Sequence, residues 1–196
     1  MRYSEDHKAK TRERVLREAA RELRAKGREN VSVARVMERA GLTHGGFYAH
    51  FASKDDLVAE AVGTMFDDAH ARLSALPTDK PRHALRSYID FYLSSAHRDN
   101  RELGCPLPAL SGELARADPA MRQRFGIGVN GLSDCLAQRL AAIGSANPEA
   151  DAAAILTQMV GAVALARAVA DRAQSNAILA DTHANLIARY GLEDAQ

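Results

Sequence analysis

The segment from Gly41 to Leu57, GLTHGGFYAHFASKDDL, constrains the fold of this chain more than any other. It predicts a tight turn at Gly41, a very short helix that begins after Thr43, and a second helix capped by Ser53. A helix of one or two turns buries too little surface to be stable by itself. We therefore expect a molecule outside the protein to contact it.

Apolar residues recur at helical spacing along the whole chain. A first helix is expected over about residues 8–26, a second behind an N-cap at Ser32, and a fourth from Ser53 to about Leu76. No segment alternates with a period of two, so no sheet is expected. The prediction is an all-α fold of about nine helices, whose last five cover about residues 80–97, 106–117, 119–143, 148–172 and 176–190.

Charge is unevenly divided along the chain, although the total is only +1. Residues 1–54 carry 13 Lys and Arg against 7 Asp and Glu, a net charge of +6. Residues 55–196 carry 13 against 18, a net charge of −5. A basic segment on an acidic remainder indicates a part that meets a polyanion, although a chance fluctuation of charge gives the same numbers.

Composition excludes several classes of protein. The most apolar run, from Met159 to Ala166, is far shorter than the roughly 20 residues of a membrane span. The N-terminus has no apolar signal core. Cys105 and Cys135 are too few for a disulfide framework in a chain of 196 residues. We expect a cytoplasmic protein without a membrane partner.

Two short helices joined by Gly41, Leu42 and Thr43 form a helix-turn-helix pattern, in which the second helix reads the major groove of DNA. The sequence here resembles the TetR family of transcriptional regulators, whose motif is G-[LV]-[ST]-x-x-x-[FL]-Y-x-H-F-x-[ST]-K-x-x-L. The residues that match it are Gly41, Leu42, Thr43, Phe47, Tyr48, His50, Phe51, Ser53, Lys54 and Leu57.

Strong likeness to the family covers roughly residues 10–60. It implies an N-terminal three-helix DNA-binding domain over residues 1–54, with the helix-turn-helix at about 32–51. It also implies a C-terminal helical domain over residues 55–196 for ligand binding and dimerisation.

Five residues are expected to fix the protein on the DNA backbone. Thr43, Tyr48 and Lys54 present a hydroxyl, a phenol and an ammonium group, which suit contacts to phosphate. The backbone amides around Ser32 and Val33 open the second helix and add to that attraction.

Base recognition is left to a small set of residues. The family's variable positions fall on His44, Gly45 and Gly46, and each glycine disfavours a helix interior by up to about 1 kcal/mol. We expect the glycines to allow a close approach of the backbone to the groove, with His44, Tyr48 and His50 reading bases. The alternative is that the glycines only avoid a clash.

A homodimer is expected, because one helix-turn-helix reads too few base pairs. Ala152 to Ala170 is apolar around most of its circumference, and the resemblance implies that the last two helices form a four-helix bundle with a partner subunit. The alternative is an interior helix of a monomer. The matching stripe on the last helix is Ile178, Leu179, Thr182, Leu186 and Tyr190.

The resemblance also implies an effector cavity among helices four to eight. Aromatic and methionine side chains suit the wall of an apolar pocket, and they serve equally well as plain core. The candidates are Tyr88, Phe91, Tyr92, Met121 and Phe125.

Cys105 stands at the start of a predicted helix, between Gly104 and Pro106, where exposed amides favour a thiolate. The segment resembles the subgroup of TetR-like repressors that respond to electrophiles or oxidants through a cysteine. The alternative is a small packing residue beside the effector cavity. Cys135 lies in the middle of a predicted helix and is expected to be buried and inert.

Signals for other functions are weak. Residues 126–131 match G-x-G-x-x-G, and Asp151 follows 20 residues after the last glycine, but no predicted strand precedes the first glycine. Asp67, Asp68 and His70 lack the second ligand cluster that a metal site needs. No catalytic triad is found, so we expect no cofactor, no metal and no enzymatic activity.

Together these patterns predict a homodimeric repressor that is released from a palindromic operator by a small-molecule effector or by cysteine modification. Two alternatives remain, a helical protein that binds small molecules and an enzyme, in both cases without specific DNA binding.

Overall fold

A computed structural model describes the backbone of residues 2–193 and the side chains of residues 6–193. Within that part of the chain no strand is found, and the fold is all-α as the sequence predicts. It contains nine α-helices and two short 3-10 helices. The α-helices are α1 (Arg2–Lys26), α2 (Val33–Arg39), α3 (Lys54–Ser74), α4 (Pro81–Tyr92), α5 (Ser95–Asp99), α6 (Pro106–Leu114), α7 (Pro119–Ala142), α8 (Pro148–Ala168) and α9 (Arg172–Arg189); the 3-10 helices are His44–Ala49 and Arg101–Leu103.

Contacts divide the described chain into two compact units, and α3 and α7 contribute residues to both. This division follows packing and so differs from the functional domains expected over residues 1–54 and 55–196, which stay a prediction. The first unit contains the residues up to Asp67 together with Arg101–Gly126, and the second contains Asp68–Asn100 and the residues from Ile127 onward.

The core of the first unit forms where the apolar stripe of α1 meets α2. Val15, Ala19 and Leu23 are almost fully buried, as are Val36 and Met37 on α2. Spacings of three and four residues place each set on one helix face. Burial of these faces holds α2, which at seven residues is too short to be stable alone.

The core of the second unit lies between α8 and α9, with α4 packed against them. Ile155, Met159 and Val163 of α8 are fully buried, and Leu179 and Leu186 of α9 are nearly so. Since α8 presents buried residues at a helical spacing, its apolar sequence is explained in part by packing within the chain.

The helix expected over residues 80–97 is interrupted after Tyr92. The Ser94 hydroxyl donates to the carbonyl of Phe91 at 2.7 Å and accepts a hydrogen bond from the backbone amide of His97 at 3.1 Å. One side chain therefore ends α4 and caps α5, because serine competes for backbone groups in this way. The prediction of one continuous helix was wrong here.

The junction between α8 and α9 also differs from the expected helices over residues 148–172 and 176–190. α8 ends at Ala168, and α9 begins directly after Asp171. The Asp171 carboxylate accepts a hydrogen bond from the amide of Ala173 at 2.9 Å, so it is an N-cap. Apolar periodicity alone does not predict this cap, so the expected boundaries of α8 and α9 were wrong.

The glycine-rich segment over residues 126–131 lies inside α7. A dinucleotide site of that motif needs a strand before the first glycine, and a helix stands there instead. The helical context therefore argues against the dinucleotide interpretation, as the sequence suggested.

Of the described helices, α8 alone has the length and hydropathy that membrane crossing requires, with a mean hydropathy of 1.3 and 39% of the window buried. The core helix of a soluble protein meets the same criterion. Its buried face against α9 fits that second explanation.

Candidate nucleic-acid interface

The turn between α2 and the first 3-10 helix is built around Gly41, whose φ of 69° is in the left-handed region. The amide of Gly41 donates to the carbonyl of Glu38, and the amide of Leu42 donates to the carbonyl of Met37, both at 2.9 Å. This pair of bonds is the Schellman motif, which ends a helix at glycine. The turn that the sequence predicts is therefore present.

The helix that follows is a six-residue 3-10 helix over His44–Ala49, which we call the reading helix. Phe47 and Phe51 anchor its inner face in the core, since each is only 2% exposed and their rings stack with centroids 5.7 Å apart. Burial of each ring contributes about 1.5–3 kcal/mol, which a helix of this length needs in order to form. Both residues belong to the motif that the sequence matches.

The opposite face of the reading helix is open to solvent. Tyr48 is 73% exposed, although its ring packs edge-on against Phe47 at 5.2 Å. Thr43 and His44 are exposed as well. An exposed aromatic ring on a rigid, buried anchor is a surface feature that indicates a binding face.

Gly45 and Gly46 add no side chain to the reading helix. A Cβ added at Gly45 would meet no heavy atom within 4 Å, and one at Gly46 would lie 3.7 Å from the Met37 Cε, an ordinary contact. No clash within the described chain requires glycine at either position. The alternative that they avoid a clash inside the protein is therefore not supported.

His50 occupies the end of the reading helix and is half-buried. Its Nδ1 is buried and has no hydrogen-bond partner among the described residues. The pKa of His50 is lowered, chiefly by burial and then by the positive charges of Lys8 and Arg12. Its role in base reading stays a prediction, and only part of the ring faces solvent.

Arg12 and Lys8 were not singled out in the motif, but α1 places both near His50. The Arg12 Nε donates to the His50 carbonyl at 3.4 Å, and the guanidinium lies 4.7 Å from the centroid of Phe51. Arg12 also pairs with Glu60. Their spacing of four residues on α1, which puts both on one helix face, is the signal that identifies them.

Some of the residues predicted to contact phosphate already make hydrogen bonds within the protein, and others do not. The Lys54 ammonium donates to the carbonyl of Glu29 at 2.9 Å. The Ser32 hydroxyl accepts a hydrogen bond from the amide of Arg35 at 3.4 Å and so caps α2 as expected, with Val33 half-buried beside it. Thr43 is in the N-cap position of the reading helix, but its side chain makes no capping bond. The reading helix thus begins after Thr43 as the sequence predicts, and the Thr43 hydroxyl is left for other partners.

The Ser53 hydroxyl and the Asp56 carboxylate fix the start of α3 next to this surface. The amide of Asp56 donates to the Ser53 hydroxyl at 3.0 Å, and the Asp56 carboxylate accepts from the amide of Ala52 at 3.0 Å. This reciprocal arrangement is close to a capping box, and Ser53 is the cap that the sequence predicts. It keeps Lys54 at a defined position.

The candidate effector residues fall in both units. Tyr88 and Tyr92 of α4 are buried, and Phe91 is half-buried with the Arg72 guanidinium 4.6 Å from its ring centroid. Tyr92 also packs edge-on against His97 at 4.7 Å. These contacts within the second unit are those of a packed core, and the pocket role stays a prediction.

In the first unit, Met121 is 4% exposed and Phe125 packs edge-on against Phe66 at 5.4 Å. Cys105 is 7% exposed and is the N-cap residue of α6, as expected from the proline that follows it. Neither Cys105 nor Cys135 forms a disulfide.

An ion pair connects the neighbourhood of Cys105 to α2. Arg39 of α2 donates to the Glu102 carboxylate at 3.1 Å and pairs with Glu18 at 2.9 Å. Glu102 lies in the 3-10 helix that leads to Cys105, and the Arg39 guanidinium lowers its pKa by direct hydrogen bonding. The buried carboxylate of Glu22 lies 3.8 Å from the same guanidinium.

Comparison with known proteins agrees with this geometry. Residues 15–61 match the family model for bacterial regulatory proteins of the TetR family. Residues 81–180 match the C-terminal domain of LmrA/YxaF-like transcriptional regulators. An uncharacterized HTH-type transcriptional regulator of Bacillus subtilis, YdgC, is 33% identical over 66 residues, which are 34% of this chain and 32% of that protein. The match thus spans about a third of the length of that curated relative.

Solved structures with the same fold cover nearly the whole chain. Escherichia coli NemR in its reduced form superposes with a TM-score of 0.78 at 22% identity, over 91% of this chain and 97% of that one. A TetR transcriptional regulator from Chloroflexus aurantiacus superposes with a TM-score of 0.79 at 22% identity, over 95% and 96%. The second family model alone covers about half of the chain. This protein belongs to the TetR family of transcriptional regulators.

Proposed function

We propose that this protein is a homodimeric repressor that binds duplex DNA with the reading helix in the major groove. The observation that carries the proposal is the exposed face of that helix, where Tyr48, His44 and Thr43 stand on two buried phenylalanine rings. A rigid base with exposed hydrogen-bonding groups is what docking into a groove requires.

Electrostatics support the same interpretation. Lys8 and Lys10 are exposed on α1. The positive charge of Lys8 contributes to the lowered pKa of His50, which follows the reading helix. Neutralisation of phosphates by such side chains releases counterions and makes affinity fall steeply with salt. The acidic remainder of the chain, with a net charge of −5 over residues 55–196, does not attract DNA.

The residues of the reading surface divide into two proposed roles. Thr43, Tyr48 and Lys54 contact phosphates, together with the amides around Ser32 and Val33. His44 and His50 read bases, and Gly45 and Gly46 let the backbone approach the floor of the groove.

The dimer is proposed to form through α8 and α9. A groove of about 440 Å³ separates them on the solvent side, and Leu165 beside it is 60% exposed. Leu179 and Leu186 are buried within the chain, whereas Ile178 and Thr182 line the groove. An apolar face of this kind, continuous along two helices, suits a two-fold helical bundle. The lining residues are Thr157, Gln158, Gly161, Ala162, Leu165, Ile178, Asp181, Thr182 and Asn185.

Release from the operator is proposed to follow binding of a small molecule or modification of Cys105. An effector shifts the population toward a dimer whose reading helices no longer match the spacing of the half-sites. Cys105 has a direct connection to the DNA-binding part of its unit through Glu102 and Arg39. A regulator with these roles acts in the cytoplasm, where the DNA is.

The proposal is tested by footprinting on the DNA that flanks the gene of this protein, followed by a salt titration on the protected site. We expect a palindromic footprint and a steep negative slope of log affinity against log salt. Equal affinity for the protected site and for a scrambled duplex would support the alternative, a ligand-binding helical protein without specific DNA binding. Family members are generally non-enzymatic, and an enzymatic role would need a turnover assay to support it.

A matched pair of cysteine variants tests the release step. If Cys105 is the sensor, Cys105→Ser stays on the operator when N-ethylmaleimide or hypochlorite is added, whereas Cys135→Ser is released like the unmodified chain. Full release of Cys105→Ser would leave Cys105 as a packing residue.

A further inference from the structure

The second unit contains a cluster of polar side chains that the proposed function does not use. Cys135 of α7 places its Sγ 3.1 Å from the Nε2 of His70 on α3. The Oγ of Ser74, one turn further along α3, lies 3.3 Å from the Nδ1 of the same ring. A nucleophile, a base within hydrogen-bond reach and a third group that orients the base form the arrangement of an activated nucleophile.

The thiol of this pair is buried, whereas the imidazole is exposed to solvent. Cys135 is 7% exposed, so its sulfur is largely shielded, whereas His70 and Ser74 are exposed on the outer face of α3. The imidazole ring of the pair is thus exposed to solvent and in contact with the sulfur. Gly131, one turn before Cys135, adds no side chain there, and a Cβ at that position would lie 3.9 Å from the His70 Cδ2.

A buried cation lies beside the pair. The Arg139 side chain is 7% exposed, and its guanidinium donates to the carbonyl of Cys135 at 3.0 Å and to the carbonyl of Leu73 at 2.6 Å. Its Nε is buried and has no hydrogen-bond partner among the described residues. These two hydrogen bonds connect α7 to α3 beside the pair.

We propose that Cys135 is a modification site whose thiol is activated by His70 and reacts with α,β-unsaturated carbonyl compounds. The sulfur attacks the β-carbon, a carbon–sulfur bond forms, and the carbon–carbon π bond opens to an enolate. The thiol proton passes to the Nε2 of His70 and then to the α-carbon, so the adduct is neutral and no oxidant is required. The Nδ1 proton of His70 is held meanwhile by the Ser74 hydroxyl.

The inference replaces the expectation that Cys135 is inert. Its burial is confirmed, but a buried thiol without a base is unreactive for lack of a proton acceptor, and here one is in contact. The reaction needs no DNA and no dimer, so its test is independent of the proposed function.

The test follows alkylation of Cys135 by N-ethylmaleimide in the full chain with Cys105→Ser, read by mass spectrometry at pH 7. Adding His70→Gln is expected to slow the reaction by about tenfold or more, the range that a positioned base supplies. His83→Gln, which removes an exposed histidine of α4, is the matched control and should leave the rate unchanged. An equal rate with and without His70, or labelling only after denaturation, would overturn the proposal.

A second measurement avoids any change at His70. In the unaltered chain, Cys135 competes with free N-acetylcysteine for a limiting amount of N-ethylmaleimide. We expect Cys135 to react faster per thiol although it is largely buried. A slower reaction than the free thiol would mean that His70 does not activate it.

Discussion

At the scale of single residues, the reading helix shows why local sequence signals can be strong. Gly41 determines the turn through its left-handed backbone conformation. Burial of Phe47 and Phe51 holds the reading helix against the core. These are short-range effects, so the motif predicts them well. Contacts between distant positions, such as the pair of Cys135 with His70, 65 residues apart, leave no such local signal.

Gly45 offers a test in which stability and binding move in opposite directions. Because a Cβ there meets nothing within 4 Å, Gly45→Ala should stabilise the fold by about 0.5–1 kcal/mol through the lower entropy of the unfolded chain. The same methyl group should weaken operator binding if the backbone approaches the groove closely.

The matched control for that variant is Gly63→Ala on α3, where a Cβ also meets nothing. It should raise the free energy of unfolding similarly and leave operator affinity unchanged. Urea unfolding and fluorescence anisotropy measure the two quantities. Unchanged affinity and sequence preference in Gly45→Ala would refute the role given to this glycine.

His97 makes the stability of the second unit depend on pH. Burial is the main cause that lowers its pKa from 6.5 to about 4, outweighing the hydrogen bond to the Tyr92 carbonyl. The folded state thus binds this proton less readily than the unfolded chain does. Its contribution is complete above pH 6.5 and is lost as pH falls from about 6.5 toward 4.

We expect this one group to lower the free energy of unfolding by about 2 kcal/mol between pH 7 and pH 5. Urea unfolding at the two pH values measures it, and His97→Gln should reduce the loss. His83→Gln, an exposed histidine of α4, should leave the loss as it is. An identical pH dependence in all three chains would contradict the assignment.

At the scale of helices, the boundaries that the sequence missed have one cause. Ser94 and Asp171 cap helices through single side chains, at points where the apolar pattern continues across the break. Periodicity alone does not register such caps, so the expected helices ran on too far. Where a cap coincides with a glycine or proline, as at Cys105 and Pro106, the boundary was predicted correctly.

The ion pair of Arg39 with Glu102 belongs to the same scale, since it connects α2 to the segment before α6. Both side chains are partly exposed, at 31% and 45%, so Glu102→Gln should change the free energy of unfolding by less than about 1 kcal/mol. If this pair transmits a change at Cys105, the variant should need a higher dose of electrophile for release from DNA.

Release at the original dose would exclude Arg39 and Glu102 as the connection. Asp55→Asn is the control, since it removes a carboxylate that is 78% exposed and pairs with Arg28 at 3.2 Å. Gel-shift titrations with N-ethylmaleimide compare the three chains.

At the scale of the whole molecule, the apolar groove between α8 and α9 predicts a dimer. Leu165→Glu places a charge on the exposed leucine beside that groove and should give a monomer in analytical ultracentrifugation at micromolar concentration. Ile127→Glu, at a residue of α7 that is 65% exposed, is the control and should remain dimeric. The opposite pattern would place the interface elsewhere.

The family and the all-α class were accessible from sequence because each depends on local pattern. The assignment of effector residues was not, because Tyr88 and Tyr92 have the same apolar character whether they line a pocket or fill a core. Their burial and ring contacts favour packing.

The central claim is that the exposed face of the reading helix binds DNA, and Tyr48 tests it most directly. Anisotropy on the footprinted operator should show that Tyr48→Ala weakens binding at least tenfold and leaves the unfolding midpoint unchanged, because the ring is 73% exposed. Ile127→Ala, at a residue of α7 that is 65% exposed, should bind like the unaltered chain. Equal operator affinity of the Tyr48→Ala variant and the unaltered chain would contradict the account.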